Sequence, residues 1–161
     1  MYRRAVVPLD GSRLAETILP FIVEIAGPLD MSIVLLRVVE PVTPVIVDGA
    51  AHVVVEDGMA RRLDAEEYLA PLAAGLRARG VTVETAVRRG HPVSDEIVAA
   101  AREAGADLIA MTTHGRSGLG RLLFGSVAEA LLRQAPVPVF LLRQTEVEMA
   151  KQLRKVKETV R

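Results

Sequence analysis

The sequence predicts an α/β fold: a doubly wound, three-layer sandwich with helices on both faces of a five-stranded parallel sheet. Short apolar runs alternate along the chain with longer stretches of helical periodicity, which is the pattern of repeated β-α units. The length of 161 residues suits one domain with a single good-sized core. With 50% hydrophobic and 25% charged residues, the composition is that of an ordinary globular protein.

The predicted helices begin and end at residues with known capping preferences. Ser12 is expected to cap the first helix, and Gly80 to end the second. Pro92 suits the first position of the third helix, where Asp95 and Glu96 favour the positive end of the helix dipole. The predicted strands span residues 4–9, 32–39, 81–87, 107–113 and 136–142, and the predicted helices span residues 13–26, 59–79, 92–104 and 126–134.

The fifth predicted strand contains two prolines, Pro136 and Pro138. Proline cannot donate a hydrogen bond to a neighbouring strand, so this strand is expected at an edge of the sheet. An edge strand with unpaired backbone groups is often covered by a second subunit.

Two segments lie outside the regular β-α pattern. Residues 41–58 contain two valine-rich runs, and we expect a long covering loop there in preference to a projecting hairpin or dimer contact. Residues 1–143 are expected to form the domain, and residues 144–161 a C-terminal helical extension. In that extension Met149, Leu153, Val156 and Val160 recur at coiled-coil-like spacing over only two heptads. The extension could fray, pack on its own domain or pair with a partner.

The composition excludes several kinds of site. The chain has 20 basic and 20 acidic residues, so no net charge attracts it to nucleic acid or to an acidic membrane. Cysteine is absent, which excludes disulfides and thiolate chemistry and fits a reducing, cytoplasmic compartment. All three lysines fall at or after Lys151, so a Walker-type phosphate loop has no lysine. The sequence shows no targeting segment and no apolar run of membrane-spanning length.

The most informative segment is a glycine-rich turn from Thr112 to Ser126, between the fourth strand and the last helix. Its glycines let several backbone N–H groups face one concavity, and the helix that follows adds free N–H groups of its own. A phosphate group is one occupant of such a turn. The alternatives are a tight turn without ligand and a capping box formed by Ser126 and Glu129.

His114, beside this turn, is the candidate for a catalytic residue. No carboxylate or second histidine stands at a spacing that would form a proton relay with it, so we expect no catalytic role. The three histidines, His52, His91 and His114, also show no metal-ligand spacing, so no protein-bound zinc is expected.

These residues resemble the universal stress protein family over residues 3 to about 143. The nucleotide-binding branch of that family has glycine, two residues, glycine, nine residues, then glycine with serine or threonine. Here the second glycine is Gly115 and the last pair is Gly125-Ser126, while Thr112 replaces the first glycine. The segments 7–12 and 90–92 resemble the family's first turn and its entry to the third helix.

The resemblance implies a sheet order of 3-2-1-4-5, an adenine nucleotide alpha hydrolase-like fold and a homodimer through the fifth strand, to which the C-terminal helix could contribute. It also implies binding of ATP, ADP or AMP with Mg or Mn on the phosphates, for a stress-response regulator with slow hydrolysis at most. Thr112 would either crowd the nucleotide or offer its hydroxyl to it. The other implied binding residues fall into two groups. The residues at the adenosine end are Pro8, Leu9, Asp10, Val38, Met111 and Val127, and those at the phosphates are Gly115, Arg116, Ser117, Gly125 and Ser126.

Two other functions stay open from the sequence. One is a non-catalytic homodimeric interaction module with a vestigial pocket, which Thr112 favours. The other is a nucleotidyl- or phosphotransferase in which His114 is catalytic. Asp10 has a competing role as well, since it could simply cap the first helix together with Ser12.

Overall fold

The computed structural model describes residues 2–41, 45–47, 50–52, 58–114, 125–144 and 155–160. The strands within these ranges are β1 (Arg4–Pro8), β2 (Ser32–Val39), β3 (Val45–Val47), β4 (Ala50–His52), β5 (Val83–Arg89), β6 (Leu108–His114) and β7 (Val139–Gln144). The main sheet has five parallel strands in the order β5-β2-β1-β6-β7. When only these five strands are numbered along the chain, the order is 3-2-1-4-5, which confirms the expected topology and the position of the last strand at an edge.

Helices cover both faces of the sheet and form two separate core clusters with it. One cluster joins the sheet to the helices at Leu19–Leu29 and Gly58–Ala78, and the other joins it to the helices at Val93–Glu103 and Ser126–Gln134. None of the described helices is both long and apolar enough to cross a membrane. The helices are α1 (Arg13–Glu16), α2 (Leu19–Leu29), α3 (Gly58–Ala78), α4 (Val93–Glu103) and α5 (Ser126–Gln134), with a further helical turn at residues 155–160.

The first predicted helix is interrupted, so the expectation of one helix over residues 13–26 is wrong. Pro20 has no N–H and cannot bond to the Glu16 carbonyl, which breaks the regular i to i−4 pattern. The N–H of Thr17 instead donates to Leu14 O at 3.0 Å, and the N–H of Ile18 to Ala15 O at 3.4 Å. Both are bonds of the tighter 3₁₀ type.

Two other local predictions need correction. Pro92 lies one position earlier than expected, as the N-cap of α4, with φ −70° and ψ 150°. Residues 41–58 were expected to form a covering loop, but β3 and β4 pair antiparallel as a two-stranded hairpin. Val45, Ile46 and Val47 are β-branched, which explains the strand propensity of β3. The second valine-rich run, residues 53–55, lies outside the described residues.

The helical turn at residues 155–160 packs on the domain. Val156 and Val160 are buried in the cluster formed by α2 and α3, and Arg79 donates to Glu158 O at 3.1 Å. A Cβ atom at Gly75 would lie 2.5 Å from Val160 Cα, so only glycine allows this approach. Of the three fates considered for the extension, packing on its own domain is the one observed for these residues. Met149 and Leu153 lie outside the described residues, and the domain boundary near residue 143 stays a prediction.

Two helical glycines give a matched test of this contact. Gly75→Ala and Gly27→Ala both gain helix propensity of about 1 kcal/mol, and a Cβ atom at Gly27 would meet nothing within 4 Å. We expect Gly27→Ala to raise the free energy of unfolding. We expect Gly75→Ala to lower it by about 1–2 kcal/mol, since the new methyl group overlaps the backbone of Val160. Urea unfolding followed by circular dichroism measures both, and equal stabilisation by the two variants would contradict the packing described.

Candidate functional site

The carboxyl end of β1 lies at the point where the winding of the sheet reverses. β1 pairs in parallel with β2 on one side and with β6 on the other. Open parallel sheets form a crevice at such a point, outside the carboxyl ends of the strands. Asp10 follows β1 and Val38 is the last but one residue of β2, so the topology brings these two predicted residues to one edge. Met111 lies in the middle of β6, three residues before its end.

Because the strands are pleated, the predicted residues lie on opposite faces of the sheet. Val38 belongs to the core cluster formed with α4 and α5, and Met111 and Val127 pack against that same cluster. Leu9 is only 2% exposed and belongs to the opposite cluster. Its side chain is therefore part of the core, and its backbone N–H is already donated to Leu36 O at 2.8 Å.

Asp10 takes part in the turn before α1, together with Ser12, which is the alternative role expected from the sequence. Its Oδ1 accepts a hydrogen bond from the N–H of Ser12 at 2.8 Å, and Ser12 Oγ accepts from the N–H of Ala15 at 3.1 Å. Gly11 adopts φ +86°, a left-handed conformation that glycine reaches without strain. The Asp10 side chain stays exposed, and its Oδ2 has no protein partner within the described ranges. The turn role and a ligand role for Asp10 are therefore compatible.

Among the described residues, no side chain caps the N-terminus of α5. Gly125 is the N-cap residue and Ser126 is the first helical residue, so the capping box considered from the sequence is not formed. Glu129 instead accepts a hydrogen bond from Arg133 at 2.9 Å. The first N–H groups of a helix have no acceptor within the helix, and the helix dipole makes this end favourable for an anion.

Gly125 is not required by the fold at this position. Its φ is −58°, which any residue adopts, and an added Cβ atom would meet no other atom within 4 Å. Gly125 and Ser126 are both exposed. A substitution at Gly125 therefore tests access to the end of α5 and leaves the core untouched.

Thr112, which replaces the first glycine of the family motif, is buried at 9% exposure. Its Oγ1 lies 3.2 Å from Oγ1 of Thr17, a fully buried residue after α1. The Thr17 hydroxyl in turn donates to Leu14 O at 2.6 Å. Thr17 was not among the residues predicted from the sequence. A threonine on an otherwise apolar helix face was the signal for it.

Three predicted phosphate ligands, Gly115, Arg116 and Ser117, lie outside the described residues. The side chain of His114 is likewise not described. Within the described ranges, no three His, Asp or Glu side chains come close enough to hold a metal ion.

A cavity of about 470 Å³ opens beside this edge, on the side of α3. Of the predicted site residues that the structure describes, only Val38 lines it. Arg37 also lines it, and its Nη1 lies 3.4 Å from Leu9 O. A charged residue in the apolar run of β2 was the sequence signal for Arg37, and it was missed.

Tyr68 lines the same cavity and donates a hydrogen bond to Glu16 Oε1 at 3.3 Å. Burial, and then the neighbouring Glu16 carboxylate, raise the pKa of the Tyr68 phenol above its ordinary value. Tyr68 is therefore neutral at physiological pH and acts here as a hydrogen-bond donor.

Comparison with known proteins covers nearly the whole chain. The sequence pattern of the universal stress protein family matches residues 1–143. A universal stress protein of Methanocaldococcus jannaschii is 30% identical over 150 residues, which is 92% of this chain and 86% of that protein.

Solved structures show the same fold. A universal stress protein family member from Burkholderia pseudomallei has a TM-score of 0.62 and 28% identity, covering 88% of this chain and 96% of its own. A family protein from Arabidopsis thaliana with AMP bound has a TM-score of 0.61 and 19% identity, covering 91% of this chain and 94% of its own. The fold is the adenine nucleotide alpha hydrolase-like fold of these relatives. Because the family pattern spans residues 1–143 and a named member is 30% identical, the chain belongs to the universal stress protein family.

Proposed function

We propose that this protein binds ATP, or the related nucleotides ADP and AMP, as a stress-response regulator. The supporting observation is the free N-terminus of α5, which begins at the exposed pair Gly125-Ser126 with no side-chain cap. Free N–H groups and the positive end of a helix dipole form a common phosphate site. The family member with AMP bound supports an adenine nucleotide as the occupant.

In this proposal the adenosine end of the ligand lies at the carboxyl ends of β1, β2 and β6. Asp10 meets the ribose or the adenine edge, and the backbone of Val38 contacts the adenine. Met111 and Val127, which pack against one cluster, line the pocket on that side. Pro8 and Leu9 contribute through their position beside Asp10, Leu9 by its backbone alone.

The phosphates lie at the other end, against Gly125 and Ser126. Gly115, Arg116 and Ser117 complete their binding in this proposal, and Mg or Mn neutralises the phosphate oxygens. Hydrolysis is slow at most. Fast hydrolysis would need a positioned base, and none is assigned among the described residues.

The proposal includes a homodimer formed through β7. Within the described residues β7 pairs only with β6, and so it has an open edge available for a second copy. A cytoplasmic location remains the expectation from the sequence.

A second candidate is an interaction module with a vestigial pocket. The observation that favours it is Thr112, whose side chain is buried and bonded where nucleotide-binding relatives have glycine. The β3–β4 hairpin, which forms a sheet separate from the main one, supplies a surface for such a module.

Ligand binding separates the two candidates directly. We expect adenine nucleotide to co-purify with the full chain, as shown by native mass spectrometry after gentle purification. We also expect Mg-ATP at 100 times its Kd to raise the melting temperature by about 5 °C or more, because a ligand that binds only the folded state stabilises it. No nucleotide in the preparation, together with no shift in millimolar Mg-ATP, would favour the interaction module.

Substitution at Gly125 tests the phosphate position. We expect Gly125→Val to weaken Mg-ATP binding by about tenfold or more in titration calorimetry, since its side chain would occupy the space in front of the α5 N–H groups. Adenosine, which has no phosphate, should bind equally to the parent and the variant. Gly125→Ala is the control for loss of the glycine cap, and it should keep at least half of the affinity. Equal Mg-ATP affinity for Gly125→Val and the parent would show that the phosphates bind elsewhere.

A further inference from the structure

We infer that Thr17 is a positioning residue for the nucleotide site, because its hydroxyl bond to Thr112 holds the Thr112 side chain away from the ligand. The inference rests on the proposed nucleotide-binding function. It concerns the one position at which this chain departs from the glycine motif.

The direction of each hydrogen bond follows from the donors available. A threonine hydroxyl has one hydrogen to donate. Thr17 donates its hydrogen to Leu14 O at 2.6 Å, so in the 3.2 Å contact Thr17 must accept and Thr112 must donate. The only hydroxyl hydrogen of Thr112 is thereby used inside the protein. Of the two roles considered for Thr112, donating its hydroxyl to the nucleotide is excluded while this pair is intact.

The pleat of β6 determines on which face of the sheet the Thr112 side chain lies. Successive residues of a strand point to opposite faces. Met111 packs against the cluster formed with α4 and α5, on the side proposed for the nucleotide. Thr112 therefore points to the other side, where it meets the fully buried Thr17. The pleat fixes only the Thr112 Cβ atom on that side, and the χ1 angle then decides whether the hydroxyl and methyl groups turn into the core or toward the carboxyl edge of the sheet, where the nucleotide is proposed. The bond to Thr17 selects the core-facing orientation.

The pair also joins the two halves of the site. Thr17 follows α1, which begins directly after the turn formed by Asp10 and Ser12. Thr112 lies two residues before the end of β6. Their bond therefore connects the turn that follows β1 to the strand that leads into the glycine-rich segment. Threonine is β-branched and has few χ1 rotamers, so one bond is enough to select its orientation.

Removal of the Thr17 hydroxyl is the direct test. Thr17→Val keeps the shape and leaves the buried Thr112 hydroxyl without an acceptor, which favours rotation of Thr112. We expect Mg-ATP binding by Thr17→Val to weaken by about fivefold or more, with adenosine weakened in parallel. Thr17→Ser keeps the acceptor and should bind within about twofold of the parent. Adding Thr112→Gly to Thr17→Val removes the side chain that rotates, and this double variant should recover most of the affinity.

Stability is measured alongside affinity to separate positioning from simple destabilisation. Val156→Ala removes core volume from the cluster formed with α2 and α3, at the C-terminal helical turn, so it should lower the melting temperature without changing Mg-ATP affinity. A Thr17→Val protein that is less stable but binds Mg-ATP like the parent would overturn the inference and leave the proposed function standing. Failure of the parent to bind any adenine nucleotide would refute the proposed function, and the positioning role with it.

Discussion

Burial of β1 on both faces is the constraint on which the rest of the structure depends. Ala5, Val6 and Val7 are completely buried, because the strand lies between β2 and β6 and beneath helices on both sides. Alternate residues of this one strand belong to the two core clusters, so β1 links both layers of helices. A polar or bulky residue there would disturb the packing interface that its side chain faces.

The same burial explains why the candidate site lies where it does. A central parallel strand can present functional groups only beyond its end, where the chain leaves the covered region. The turn after β1 is shaped by Gly11 and by the bond between Asp10 and Ser12. Across the reversal of the winding, β6 leads toward the free N-terminus of α5. The candidate site therefore lies at the edge of the sheet, and the groups proposed to face a ligand lie on turns and helix ends.

The site residues differ in how far the sequence could predict them. Asp10 and Val38 follow from strand ends, which apolar periodicity locates well, and the structure brings both to one edge. Gly125-Ser126 followed from the glycine pattern, but their exposure and lack of a cap depend on the three-dimensional surroundings. Arg37, Tyr68 and Thr17 were missed. Each looks like an ordinary residue of a strand or helix until its neighbours are known.

The sequence by itself determined the α/β class, the parallel strands, the Ser12 cap and the edge position of the last strand, which begins at Val139, after the two prolines of the predicted strand. These depend on local signals, namely periodicity, proline chemistry and capping preferences over a few residues. Its resemblance to a known family supplied the strand order, which the structure confirms. Only the tertiary structure decided that α1 and α2 are separate, that Val160 packs against Gly75, and that Thr112 is hydrogen-bonded to Thr17. The last two residues lie 95 positions apart in the chain. Such contacts are created by packing between distant segments, and no local pattern records them.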